Sequence, residues 1–224
     1  MFVPLMFTLA KLPRHQGPIA PSELTGVFRR SITHPFVKIT TKRSKLVTPN
    51  RIYVGGTYDP EEDRNGDPCI EVFLIYNEHD QHLTLEQKPW QRLCFEIAEC
   101  IGHEFVHRTQ ARRRKFKDCR NYRSRDEHVL KKEEQEYLGT KDEIEAYGFS
   151  IAAELSAMYG SFDIESPHLE NIVMWKVYNS TFDNDQTVLL KLRQQIVKYL
   201  HRLEVDYHDK TNSRTSRARR PRNL

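Results

Sequence analysis

Apolar positions recur along this chain with two periods, and the change from one to the other divides it. Between residues 36 and 76 the spacing is that of strands. Phe36-Val37-Lys38-Ile39-Thr40-Thr41-Lys42 alternates loosely, and Arg51-Ile52-Tyr53-Val54 runs into Gly55-Gly56, a strand that ends in a turn. Residues 58–68 read as a polar loop. The near-continuous run Cys69-Ile70-Glu71-Val72-Phe73-Leu74-Ile75-Tyr76 is the strongest strand signal and is taken as edge-like. From residue 89 the spacing becomes helical. Pro89 suits a first-turn position, and Leu93, Cys94, Ile97, Ala98, Ile101 and Phe105 then recur on one face, which predicts a helix over about 89–112. Helices are predicted over about 140–159 and within 166–205, the last using Leu192, Ile196, Leu200 and Leu203. A short helix over 21–33 precedes the strands. The pattern is α+β: a small mixed sheet, strands mainly 36–76, packed on one helix and followed by a mainly helical C-terminal part.

Composition narrows the class. The chain has 224 residues, of which 38% are hydrophobic and 29% charged, so one domain over 1–208 with a substantial core is expected. No apolar run approaches a membrane span, so no membrane partner is expected. The apolar start, Met1 to Ala10, lacks a basic leader and contains Pro4, so it reads as a segment docked on the body rather than a signal peptide. Cys69, Cys94, Cys100 and Cys119 show no C-x-x-C spacing, which favours reduced thiols in a cytoplasmic setting.

Charge is unevenly spread. Arg108–Arg125 carries nine Lys/Arg against one acid and leads into an acid-rich stretch, so about 108–138 reads as a charged insertion. From Asp209 to Leu224 six Lys/Arg face one acid, and this stretch reads as a disordered basic tail. A tail of this kind gives salt-sensitive affinity for nucleic acid or another polyanion.

The chemistry concentrates at His103-Glu104-Phe105-Val106-His107. On a helix, positions four apart share a face, so both imidazoles can address one cation, and imidazole is a good Zn²⁺ ligand. Glu104 projects about a quarter-turn away, where it can take a proton from water instead of ligating the metal. A catalytic zinc needs a third protein ligand. The helix from about 140 to 159 offers Glu143, which heads a stripe of small residues, Ala146, Ser150, Ala153 and Ala157; such a stripe lets another helix approach closely. Glu145, Asp142 and His128 remain alternatives. Thr140-Lys141-Asp142-Glu143 is also a capping-box pattern, in which Glu143 would serve the backbone.

These motifs resemble those of the zincin metallopeptidases. Glu143-Ile144-Glu145-Ala146 is similar to the ligand segment of gluzincins, and Glu143–Ser150 is distantly similar to the E-x-E-A-x-x-F-A run of ImmA/IrrE-like peptidases. The likeness covers roughly 70–160. The metzincin extension is absent, because Gln110 and Arg113 hold its Gly and His positions, and the aspzincin pattern matches only at Gly139-Thr140-Lys141-Asp142. The resemblance implies a zincin-like fold with one Zn²⁺ per chain on His103, His107 and Glu143, hydrolysing a protein or peptide with Glu104 as general base. Tyr147, Tyr137 or His168 would assist as electrophile, and Tyr147 is preferred. The competing expectation is a zinc-containing nucleic-acid-binding or interaction protein, or a DNA-associated SprT-like protease, with the 209–224 tail on phosphates.

Overall fold

The computed structural model describes residues 2–12, 17–85, 87–117 and 131–218. Its contacts divide the chain into two compact units, Met1–Val129 and Leu130–Leu224. The joining segment 118–130, which contains His128 and Cys119, lies outside the described residues.

In the first unit, α1 (Phe2–Leu9), β1 (Pro18–Ile19) and α2 (Pro21–Ser31) precede β2 (Val37–Ser44), β3 (Ile52–Tyr58), α3 (Pro60–Asn65), β4 (Ile70–Asn77), β5 (Leu83–Thr84) and α4 (Gln87–Arg113). The main sheet has the order β2-β4-β3. β2 runs parallel to β4, with Val37 opposite Ile70, and β3 runs antiparallel, with Ile52 opposite Tyr76. β4 is therefore the central strand, not an edge; its near-continuous apolar run belongs to a strand flanked on both sides. Alternate residues Ile70, Val72, Leu74 and Tyr76 are buried. β1 and β5 form a separate antiparallel pair.

Gly55 and Gly56 lie inside β3 rather than in a turn after it. The strand packs on α4, and the reason for glycine is this close approach. A Cβ on Gly56 would sit 2.5 Å from Cys100 Sγ and 3.1 Å from Glu104 Cγ. The predicted 58–68 loop contains α3. Asp59 caps it, accepting from the N–H groups of Glu61 (2.8 Å) and Glu62 (3.3 Å), Pro60 opens it, and Gly66 closes it at φ 86°.

α4 spans two residues more at its start and one more at its end than the predicted 89–112 helix. Its buried apolar face uses Trp90, Leu93, Cys94, Ile97, Ala98 and Ile101. Trp90 stacks on Phe28 of α2 at 5.6 Å, and Phe95 meets Phe2 of α1 edge-on at 6.5 Å. Burying each such side chain stabilises the unit by about 1.5–3 kcal/mol. The apolar start of the chain is thus a helix docked on α4.

The second unit holds α5 (Lys131–Leu138), α6 (Lys141–Tyr159), a 3₁₀ turn (Pro167–Asn171), α7 (Val173–Thr181) and α8 (Gln186–Ala218). α5 is helical where the sequence predicts the end of a charged insertion. Thr140 caps α6, accepting from the Glu143 N–H at 3.3 Å, and Gly160 ends it at φ 66°. α6 packs along α8. Gly148 marks the closest approach, since a Cβ there would meet Gln195 Cβ at 2.4 Å. α8 continues through Ala218, so 209–218 is helix where disorder is expected, and 219–224 lies outside the described residues. Lys, Arg and Ala are tolerant helix residues, and no proline interrupts before Pro221. The fold is mixed α+β with a small sheet and a helical majority, and no helix among the described residues is long and apolar enough to cross a membrane.

Candidate metal centre

Four polar side chains interrupt the buried face of α4: His103, Glu104, His107 and Gln110. Positions 103, 107 and 110 follow the i, i+4, i+7 rhythm of one helical stripe. Buried polar groups cost free energy unless each finds a partner. The two imidazoles converge, with His103 Nε2 and His107 Nε2 3.2 Å apart and ring centroids 4.9 Å apart. His107 Nδ1 lies 3.0 Å from Gln110 Oε1. Burial, and then the charge of His107, pushes His103 well below the ordinary histidine range, so its ring is neutral at pH 7. A neutral ring is the form that ligates a metal.

Glu104 is buried beside these rings in sequence but faces β3. The site a Gly56 Cβ would occupy lies 3.1 Å from both its Cγ and Oε1, so any side chain at 56 would displace its carboxylate. Burial, together with the negative charges of Glu104 and Glu99, pushes the Cys100 thiol well above the ordinary range. Cys100 is therefore a protonated filler under the carboxylate rather than a nucleophile.

The C-terminal turns of α4 are held from α3. Asp63, with a fully buried side chain, accepts from Arg108 Nε at 3.0 Å and from Arg112 Nε and a terminal nitrogen at 3.0 and 2.8 Å. The Tyr58 hydroxyl at the end of β3 donates to it at 3.1 Å. The Arg108 guanidinium also lies over the Phe36 ring, 3.8 Å from its centroid. Burial alone would raise the Asp63 carboxyl, but the Arg112 and Arg108 hydrogen bonds and charge carry it below the usual carboxylate range. The first arginines of the basic run thus serve this clamp, a role that charge counting did not find. The Asp59-Pro60 cap signal was the available clue to α3, and hence to Asp63.

On α6, Glu143 is completely buried. Burial pushes its carboxyl up to about 7, against a Tyr137 hydrogen bond that lowers it. Glu145 is engaged elsewhere, accepting from Lys198 Nζ at 2.6 Å and from the Tyr199 hydroxyl at 3.3 Å on α8. The Tyr147 ring meets Tyr178 edge-on at 5.8 Å. His168, in the 3₁₀ turn, stacks on Tyr159 at 4.7 Å. Among the described residues, His103, His107 and Glu143 form a group that could hold a metal ion, their ligand atoms all within 4.8 Å of one another. Asp142 and Glu145 are not in that group. Two imidazoles and a carboxylate suit zinc and other divalent first-row ions. Comparison with family models, with curated proteins and with solved structures finds no match for this chain.

Proposed function

We propose that this protein is a zinc metallopeptidase of zincin-like design, with His103, His107 and Glu143 holding one Zn²⁺ and Glu104 acting as general base. One observation carries the reading: three ligand atoms of suitable type within 4.8 Å, next in sequence to a buried carboxylate that is not among them. A zinc ion held there supplies Lewis-acid chemistry toward a carbonyl and toward water. Glu104 takes the proton of the water that adds to the peptide carbonyl carbon and delivers it to the amide nitrogen as the C–N bond breaks. Gly56, lacking a Cβ, leaves room for the Glu104 carboxylate against β3. Tyr147, one helical turn beyond Glu143, is assigned the hydrogen bond to the developing oxyanion.

An extended peptide would add to the outer edge of β3 rather than to β4, because both sides of β4 are already paired. Buried, unbridged Cys69, Cys94 and Cys100 suit a reducing, cytoplasm-like compartment. The nucleic-acid reading draws on the 209–224 tail, since Arg108 and Arg112 are engaged by Asp63.

The test pairs metal analysis with Glu104→Gln. Wild-type protein is expected to carry about one zinc per chain and to cleave an unstructured protein. The variant keeps the zinc and loses roughly 10²–10⁴-fold in rate, because an amide cannot accept the proton. Wild-type protein that stays metal-free when offered zinc would sink the proposal.

A further inference from the structure

We infer that Gln110 is a positioning residue for this centre: its side-chain carbonyl holds His107 in the one tautomer that offers Nε2 as a lone pair. The inference rests on the metallopeptidase reading, but its geometry lies wholly within α4. Gln110 is 4% exposed, on a helix whose other buried positions are mostly apolar. A glutamine is costly there unless its amide is used. Its Oε1 lies 3.0 Å from His107 Nδ1.

A neutral imidazole carries one N–H, on one nitrogen or the other. An amide oxygen can only accept. The short Nδ1···Oε1 contact therefore fixes the hydrogen on Nδ1 and leaves Nε2 bare. Nε2 is the nitrogen turned toward His103 Nε2 at 3.2 Å, on the side where the candidate ligand atoms gather. Without the acceptor, the His107 ring would be free to place its hydrogen on Nε2 and turn its donor toward the cation's position. Holding the ring also removes its rotational freedom before a metal arrives.

The sequence position matters. Gln110 is three residues after His107, so the orienting group and the ligand sit one turn apart on the same helix. No loop or distant element has to fold for the ring to be set. The same glutamine occupies the position where a metzincin carries its glycine. The residue that excludes one zincin subclass thus acquires a role of its own.

The experiment uses the full chain in three forms: wild type, Gln110→Leu and Gln110→Glu. Long-range ¹H–¹⁵N spectra of the metal-free proteins read the histidine tautomers, and chelator competition reads the affinity for zinc alone. In wild type His107 is expected as the Nδ1–H form. Gln110→Leu, nearly isosteric but without an acceptor, should show a mixed tautomer and bind zinc about 10–100-fold more weakly. Gln110→Glu keeps an acceptor and should retain the Nδ1–H form with affinity equal to or above wild type. Rescue by Glu but not Leu separates positioning from simple packing. An Nε2–H tautomer in wild type overturns the inference, as does unchanged zinc affinity in Gln110→Leu. If Gln110→Leu does not fold, the wild-type tautomer and the Gln110→Glu affinity still decide. Failure of the metallopeptidase reading looks different: wild type then binds no zinc, whichever tautomer the metal-free spectra report.

Discussion

Asp63 in the first unit and Glu143 in the second are both buried carboxylates, and their surroundings treat them in opposite ways. Asp63 is met by two guanidinium groups and a tyrosine hydroxyl, and it lies below the ordinary carboxylate range. At Glu143 desolvation prevails over the Tyr137 hydrogen bond, and the carboxyl is raised to about 7. Desolvation raises both carboxyls; at Asp63 the hydrogen bonds and charge of Arg112 and Arg108 outweigh it, and at Glu143 it prevails. A structural charge is neutralised from within the fold.

Disrupting Asp63 should have the largest effect on stability. Asp63→Ala leaves Arg108, whose side chain is 12% exposed, without its acceptor and is expected to destabilise by about 3–5 kcal/mol in urea titration. Because the folded Asp63 carboxyl is depressed, its contribution is fully present above the unfolded value of about 3.9 and fades as pH falls through the lower folded value. Wild type and Asp63→Asn should therefore differ at pH 7 and converge in acid below about pH 4. A gap that stays constant would mean the clamp is not ionic.

The Glu143 arm of the comparison predicts the reverse sign. Glu143→Gln should weaken zinc binding by roughly tenfold or more, yet raise the thermal midpoint of the metal-free protein at pH 8. A carboxyl raised to about 7 opposes folding once pH exceeds its unfolded value, and a neutral amide removes that penalty. Well below the unfolded value of about 4.3, where both states are protonated, the midpoints should coincide. Its neighbour serves as control: Glu145→Gln should cost about 1 kcal/mol and leave zinc content intact, because Glu145 belongs to the Lys198 and Tyr199 contact. Loss of zinc in Glu145→Gln alone would reverse the ligand assignment.

The smallest effect concerns the C-terminal segment. Removing residues 209–224 takes away six Lys/Arg and one acid. The unfolding midpoint and zinc content should hardly move, while any affinity for heparin should drop and lose salt dependence. Unchanged heparin binding would shift attention to the remaining lysines and arginines of 108–125.

What the sequence disclosed follows from how local each signal is. The H-E-x-x-H spacing, the apolar face of α4 and the Thr140 cap are patterns within one or two turns, and they were readable. Glu143 and Glu145 differ by two residues on one helix, and small neighbours favoured the first; the Lys198 partner that occupies the second comes from α8 and has no local mark. Sheet order was misread for the same reason. An apolar run says that both faces of β4 are covered, but not which strands lie beside it. Gly55-Gly56 looks like a turn in isolation, and only Cys100 and Glu104 beneath Gly56 explain a glycine at that position of an extended strand. Asp63 went unnoticed because its arginines lie far along the chain and resembled part of a solvated basic run.

The parallel pairing of β2 with β4 has a consequence for how fast the molecule becomes competent. β3 and α3 lie between those strands in sequence, yet β3 ends up on the far side of β4. A parallel pair cannot close through a hairpin, so the intervening chain must be gathered before the pairing is rewarded. The helices, built from local contacts, form sooner. On refolding, helical signal should therefore return ahead of the packing of Cys100 and Glu104 under Gly56, because β3 is fixed only once β4 has found both neighbours.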